Sequence, residues 1–258
     1  MFLHTYIPSS VAFIAGPFTV YWYGLVLAVA MAASIALAMR LARRFDIDRE
    51  TILDLSFWLI IGGLIGTRVY EIFLEWPYYV AHPASILKIW QGGLAIHGAL
   101  IGGVVALLIF SYRRRIDFLK LAALCVPAVA LGQAIGRWGN WFNQELFGLP
   151  TNLPWAIPIE PFYRPLEYIA FSYFHPTFLY ESIACALICV ILLFMIRARV
   201  RSATILGSYL IMYGIVRFAL EYIKIDQTPL VFGMRWPQVM SLVLCMAGLL
   251  LGFWRRKK

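Results

Sequence analysis

The sequence predicts an all-α polytopic membrane protein, and three observations carry that prediction. Only 14% of the 258 residues are charged while 62% are hydrophobic, whereas soluble domains carry about 25% charge. The apolar residues gather in blocks of about 20, the length that crosses a hydrocarbon core about 30 Å thick. Basic residues fall in alternate loops between the blocks, which gives the chain an orientation. Lipid offers the backbone no hydrogen-bond partner, so such spans are expected to be helices.

About seven spans are expected, at roughly 18–40, 54–75, 94–112, 118–136, 176–197, 203–223 and 237–254. Arg40, Arg43, Arg44 and Arg49 follow the first, and Arg113, Arg114, Arg115 and Lys120 follow the third. Arg197, Arg199 and Arg201 follow the fifth, and Arg255, Arg256, Lys257 and Lys258 follow the last. The intervening loops hold only Lys88, Arg164, Lys224 and Arg235. The positive-inside rule makes the rich loops cytoplasmic, with the N-terminus outside and the C-terminus in the cytoplasm. This distribution accounts for the net charge of +9 without a nucleic-acid partner.

A single integral membrane domain over 1–258 is expected. MFLHTYIPSS lacks the basic region and cleavage site of a secretory signal, so no removable segment is expected there. Cys125, Cys185, Cys189 and Cys245 lie in apolar spans without CxxC spacing, which fits buried reduced thiols rather than a disulfide or metal framework. No cofactor and no metal are expected. An extracytoplasmic interfacial segment is expected over about 76–93. There Pro83 can start a short helix with Ile86, Leu87 and Trp90 on one face, and Trp76, Tyr78 and Tyr79 sit at headgroup level. The long outer loop over about 137–175 holds Pro150, Pro154, Pro158, Pro161 and Pro165, so it should be ordered but irregular.

The polar residues inside the spans converge on the outer side. Tyr23 opens the first span, Arg68 lies past the middle of the second, and His97 is near the start of the third. Arg137 ends the fourth, His175 opens the fifth with Glu181 two turns in, and Arg217 and Glu221 occupy the outer half of the sixth. An arginine near a helix centre costs roughly 2.5–3.5 kcal/mol, so each needs a partner. Arg217 and Glu221 share a helical face with Tyr213, and Arg68 can pair with Glu71. Arg137 has no acid within a turn upstream, which makes it the best candidate for an external anion.

Each residue also has a plainer reading. Arg217 and Glu221 can be a packing pair, Arg68 can snorkel, and His97 can be a satisfied interior histidine. His175 can cap the next helix, and Tyr23 and Trp22 can be belt aromatics. Gly62 and Gly66, Gly132 and Gly136, and the glycines around His97 fit close helix packing, and they also leave room for a ligand. Taken together, arginines at one depth point to an anionic lipid headgroup, which Arg grips bidentately. A histidine in the same cavity can act as general base near neutral pH.

GRWGNWFNQELFG, residues 136–148, closely resembles the signature of the phosphatidylglycerol–prolipoprotein diacylglyceryl transferases. The match rests on Gly136, Arg137, Gly139, Asn140, Asn143, Glu145 and Gly148, with Trp141 where the pattern usually has Phe. WQGGLAIHGALIGG resembles the family's His-Gly segment and puts its essential histidine at His97. VYWYG, FHPTFLYES and YGIVRFALE resemble further segments and carry Tyr23, His175, Arg217 and Glu221. The resemblance implies a seven-helix enzyme of the bacterial plasma (inner) membrane, with its site toward the outer leaflet. It implies transfer of the diacylglyceryl group of phosphatidylglycerol to the lipobox cysteine of a prolipoprotein signal peptide, forming a thioether and releasing glycerol phosphate. On that basis His97 takes the thiol proton while Arg137 and Arg217 stabilise the departing phosphate. Glu221 orients Arg217, and Tyr23, Asn140, Asn143, Glu145, Gly148, Arg68 and His175 shape the substrate site among membrane lipids. Two rivals remain open at this point: a non-catalytic lipid translocator and a structural lipid-binding subunit.

Overall fold

A computed structural model describes residues 2–88, 92 and 95–253. Trp90, expected on the interfacial helix face, and the C-terminal basic cluster Arg255–Lys258 lie outside the described residues, as does Gly93. The long elements are all helices: α2 (Trp22–Ala42), α3 (Arg49–Leu74), α5 (Ile96–Arg114), α6 (Phe118–Phe142), α7 (Thr177–Arg197), α8 (Ser202–Leu220) and α9 (Trp236–Phe253). Short helices α1 (Phe2–Thr5) and α4 (Trp76–Ala81) accompany them. Six of the helices are long and apolar enough to cross a membrane, and α9 is a shorter apolar helix. The chain is an all-α polytopic membrane protein, as the apolar blocks predict.

Three span boundaries differ from expectation. The second span begins at Arg49 rather than near 54. The first helix starts at Trp22 rather than near 18, because β1 (Val11–Ala15) and β2 (Phe18–Tyr21) pair as an antiparallel hairpin. Gly16, at φ +59°, and Pro17 form its turn. The fourth span runs on to Phe142 rather than stopping near 136, so Arg137 and Asn140 are helical residues.

The chain forms two compact units, Met1–Leu37 with Cys125–Lys258, and Ala38–Leu124. In the first, polar side chains sew the helices together. Ser34 Oγ on α2 donates to the Ala128 carbonyl of α6 at 2.8 Å. Ser182 Oγ on α7 donates to the Ala134 carbonyl at 2.6 Å, and Trp138 Nε1 donates to Ser182 Oγ at 3.2 Å. The Tyr209 hydroxyl on α8 donates to Gln133 Oε1 on α6 at 3.1 Å. With backbone needs met inside each helix, such bonds and small residues supply helix association in lipid. Gly207 and Gly248 let α8 and α9 approach until a Cβ on Gly207 would lie 2.6 Å from the Gly248 carbonyl oxygen.

Between α6 and α7 the chain builds a small core from Trp141, Phe147, Ile157, Ile159, Phe174 and Phe178. β3 (Ile157–Pro158) and β4 (Tyr173–Phe174) pair within it, contributing Ile157 and Phe174. Between α8 and α9 stands a second hairpin, β5 (Leu230–Val231) with β6 (Met234–Arg235).

In the second unit α3 and α5 cross through glycine. A Cβ on Gly66 would fall 2.8 Å from Gly102 Cα, and one on Gly62 would fall 2.6 Å from Ala106 Cβ. Beyond α3 come α4 and a 3-10 turn over Pro83–Leu87 that starts at Pro83 as expected. Trp76 and Tyr78 are exposed there, but Tyr79 is buried beneath the Arg68 guanidinium, 5.1 Å above its ring. Tyr79 therefore packs against the fold instead of being exposed like its two neighbours.

Candidate active site

Glu181 anchors the site in the first unit. It lies one turn into α7 and is 1% exposed. Its Oε1 meets Arg137 Nη2 at 2.5 Å, and its Oε2 meets Arg217 Nη1 at 3.2 Å and Lys224 Nζ at 3.9 Å. The Tyr213 hydroxyl donates to Oε1 at 3.4 Å. Arg217 also reaches Glu221 Oε2 at 3.4 Å, and Glu221 Oε1 meets Arg235 Nε at 3.2 Å. The Arg217–Glu221 pair thus forms as its i,i+4 spacing requires.

Arg137 differs from expectation. No acid lies near it in sequence, but Glu181, 44 positions on, reaches it across the α6–α7 contact. It is not an arginine awaiting a ligand to balance it. What remains unbalanced is the cluster, in which Glu181 and Glu221 pair with the four cations Arg137, Arg217, Lys224 and Arg235 and the Asp226 carboxylate also acts on Lys224. Burial, followed by the neighbouring Arg217, pushes the Lys224 ammonium down to about 8, so it is still charged near neutral pH. A surplus positive charge in a buried setting favours an anion.

The signature motif divides its labour. Asn140 Oδ1 accepts from Arg137 Nη1 at 3.4 Å, and its Nδ2 donates to Glu145 Oε1 at 2.8 Å. Asn143 Nδ2 donates to the same oxygen at 3.4 Å. Gln144, at φ +52°, donates to the Pro8 carbonyl at 3.1 Å and accepts the Glu160 N–H at 2.8 Å, tying the N-terminal segment to the outer loop. Gly148 is needed for space: a Cβ there would lie 2.7 Å from the Ile223 carbonyl oxygen and 2.9 Å from His175 Cβ. Its N–H donates to the His175 carbonyl at 2.9 Å, and the Leu149 N–H donates to Ile223 O at 2.8 Å. The end of the motif is thereby stitched to the start of α7 and the end of α8.

Tyr23 packs its ring on Gly139, where a Cβ would sit 2.8 Å from Cδ2. With Asn143, Glu145, Ser10, Thr19 and Tyr163 it lines an open pocket of about 800 Å³. His175 Nδ1 lies 3.1 Å from the Tyr180 hydroxyl, which accepts Trp155 Nε1–H at 2.8 Å. Burial lowers the pKa of His175, which suits a neutral ring accepting the tyrosine proton.

Arg68 and His97 belong to the second unit. Arg68 does not use the expected Glu71 in its described bonds. Its Nε donates to Ile86 O at 2.9 Å, its Nη1 to Gly92 O at 2.9 Å, and its Nη2 to Ser85 O. It staples the segment after α4 to α3. His97 is the second residue of α5, exposed, with its ring centroid 5.9 Å from that of Tyr70.

Glu181, Lys224 and Arg235 are the cluster members that local spacing did not single out as site residues. An acid near the start of an apolar span is the available sign for Glu181. Lys224 and Arg235 looked like sparse charges of an outer loop.

The sequence pattern of the prolipoprotein diacylglyceryl transferase family matches residues 10–254. A phosphatidylglycerol–prolipoprotein diacylglyceryl transferase of Synechococcus elongatus is 46% identical over 241 residues, covering 91% of this chain and 83% of its own length. One of Nostoc is 43% identical over 251 residues, covering 94% and 87%. One of Bacillus velezensis is 38% identical over 252 residues, covering 97% and 93%.

Proposed function

The chain belongs to the prolipoprotein diacylglyceryl transferase family, and from that premise we propose how its residues divide the reaction. It is an enzyme that transfers a diacylglyceryl group from phosphatidylglycerol to a prolipoprotein, the first step of lipoprotein maturation. The acceptor is the thiol of the lipobox cysteine. The thiol loses its proton, sulfur attacks the glycerol carbon next to the phosphate, and that C–O bond breaks. A thioether forms and glycerol phosphate leaves with the bonding pair.

The observation that carries this reading is the surplus of positive charge around Glu181 and Glu221. The phosphodiester arrives with one negative charge and leaves as a monoester of nearly two. A preorganised cationic cluster binds the second state more tightly than the first, which is the differential that lowers a barrier. Arg137 and Arg217 contact the phosphate, held in place by Glu181. Glu221 fixes Arg217 and is fixed by Arg235. Tyr23, Asn140, Asn143 and Glu145 shape the neighbouring pocket, with Gly148 and His175 setting its backbone. His97 takes the thiol proton, since a thiolate is the reactive form. Arg68 belongs to the substrate-binding residues in this reading.

The protein sits in the bacterial plasma membrane with its N-terminus, the segment over about 76–93 and the loop over about 137–175 outside, as the basic loops require. Its partners are phosphatidylglycerol, surrounding membrane lipids and signal peptides bearing a lipobox cysteine, and no nucleic acid. The test is release of glycerol phosphate from headgroup-labelled phosphatidylglycerol by purified protein with a lipobox peptide. Release should require the peptide cysteine and be lost in Arg137→Ala. In His97→Gln the rate should fall and the pH profile change, whereas an unchanged profile would assign thiolate formation to the arginine field alone.

A further inference from the structure

Two features of the first unit make no sense in water. The β5–β6 turn is Phe232–Gly233, with φ of +51° and +75°. Positive φ at both positions is the type I′ pattern, in which Asn-Gly is the favoured pair. A bulky side chain at the first position is strained. Phe232 is nonetheless there and is 94% exposed, beside Leu230 at 71%. The second feature is the β1–β2 hairpin, whose tip carries Ile14 and Phe18, 71% and 73% exposed, with Phe13 also outside. Its strand VAFIA is apolar on both faces, whereas a hairpin meeting water alternates apolar with polar.

The two hairpins occupy equivalent places. Phe18 stands four residues before Trp22, which starts α2, and Phe232 stands four residues before Trp236, which starts α9. Four residues reach at most about 13 Å, and tryptophan at the start of a span sits at headgroup level. Each tip is therefore within reach of the hydrocarbon boundary, at the end of its helix opposite the arginine-rich loops.

We propose that the β1–β2 and β5–β6 hairpins are lipid anchors, with Ile14 and Phe18 on one and Leu230 and Phe232 on the other inserted into the outer leaflet. The second anchor bears directly on the cationic cluster. Arg235 in β6 donates to the carbonyls of Glu221 at 2.9 Å and Lys224 at 2.5 Å, to Thr228 Oγ1 at 3.0 Å, and to the Asp226 carbonyl, besides pairing with the Glu221 carboxylate. A hairpin held at the leaflet thus fixes the depth at which Glu221 and Arg217 stand.

The test places a photoreactive benzophenone side chain at 18 or 232 in the full-length protein, reconstituted in vesicles of phosphatidylglycerol and phosphatidylcholine without peptide. Lipid adducts are expected at both positions. Their absence at either, or adducts that form only with an added signal peptide and go to that peptide, would overturn the anchor. A second arm puts the probe at Leu230 and introduces Phe232→Asn, which suits the turn and so keeps the hairpin folded. Lipid adducts at 230 should fall by about tenfold, the partition lost with one buried ring. Unchanged yield would remove Phe232 as the anchor. Adduct formation needs no transfer, so failure of the anchor and failure of the transferase reading are separable.

Discussion

Replacing Glu181 with Gln tests the cluster at its centre. The carboxylate is 1% exposed and takes Arg137 at 2.5 Å, Arg217 at 3.2 Å and Lys224 at 3.9 Å. The amide keeps the shape and one acceptor, but it loses the charge and turns an N–H₂ toward cations. Surplus positive charge rises by one in a buried setting. Removing one partner of a buried ion pair costs about 3–5 kcal/mol. For a chain of this size each kcal/mol moves the unfolding midpoint by about 2–4 °C, so a drop on the order of 10 °C is expected. The assay is thermal unfolding in detergent followed by tryptophan fluorescence, repeated with glycerol phosphate present. The anion should raise the midpoint of Glu181→Gln more than that of wild type, because it replaces the missing charge. A midpoint within about 2 °C of wild type, with no larger response to the anion, would refute the cluster as a coupled unit.

Four further outcomes follow from the structure. Gly148→Ala forces a Cβ to within 2.7 Å of the Ile223 carbonyl oxygen, and overpacking of this kind costs about 1–3 kcal/mol, read as a lower melting temperature. Lys224 gives up its proton as pH rises through about 8, so KM for phosphatidylglycerol should climb above that pH in wild type and stay flat in Lys224→Arg. Between about 8 and the ordinary 10.5 the unfolded chain holds more protons, so Lys224 makes stability rise with pH in that window, a rise that Lys224→Met should abolish in pH-dependent melts. Gly66→Val drives a side chain into Gly102, 2.8 Å from its Cα, and should destabilise the α3–α5 crossing by roughly 1–3 kcal/mol in the same melting assay.

The spans were legible because a bilayer imposes length and composition on them directly. The β1–β2 hairpin was not, since FIAGPFTVYWYG runs into the first span without a polar break. Gly16–Pro17 was its one sign. Arg217 and Glu221 were legible because four residues make a helical turn. The Arg137–Glu181 pair has no local sign, because its contact is made by two helices meeting 44 positions apart. Glu71 is the acid nearest Arg68 in sequence, but the described Arg68 bonds go to loop carbonyls, and backbone acceptors carry no mark in a sequence.

The central claim is that the chain joins a diacylglyceryl group to a cysteine sulfur through carbon. The most direct measurement is the intact mass of a lipobox peptide after incubation with purified protein and phosphatidylglycerol, before and after hydroxylamine. The account predicts a gain of one diacylglyceryl group that hydroxylamine leaves in place and that a Cys→Ser peptide never shows. A peptide of unchanged mass with folded, lipid-binding protein would contradict it, and so would an adduct that hydroxylamine strips from the sulfur.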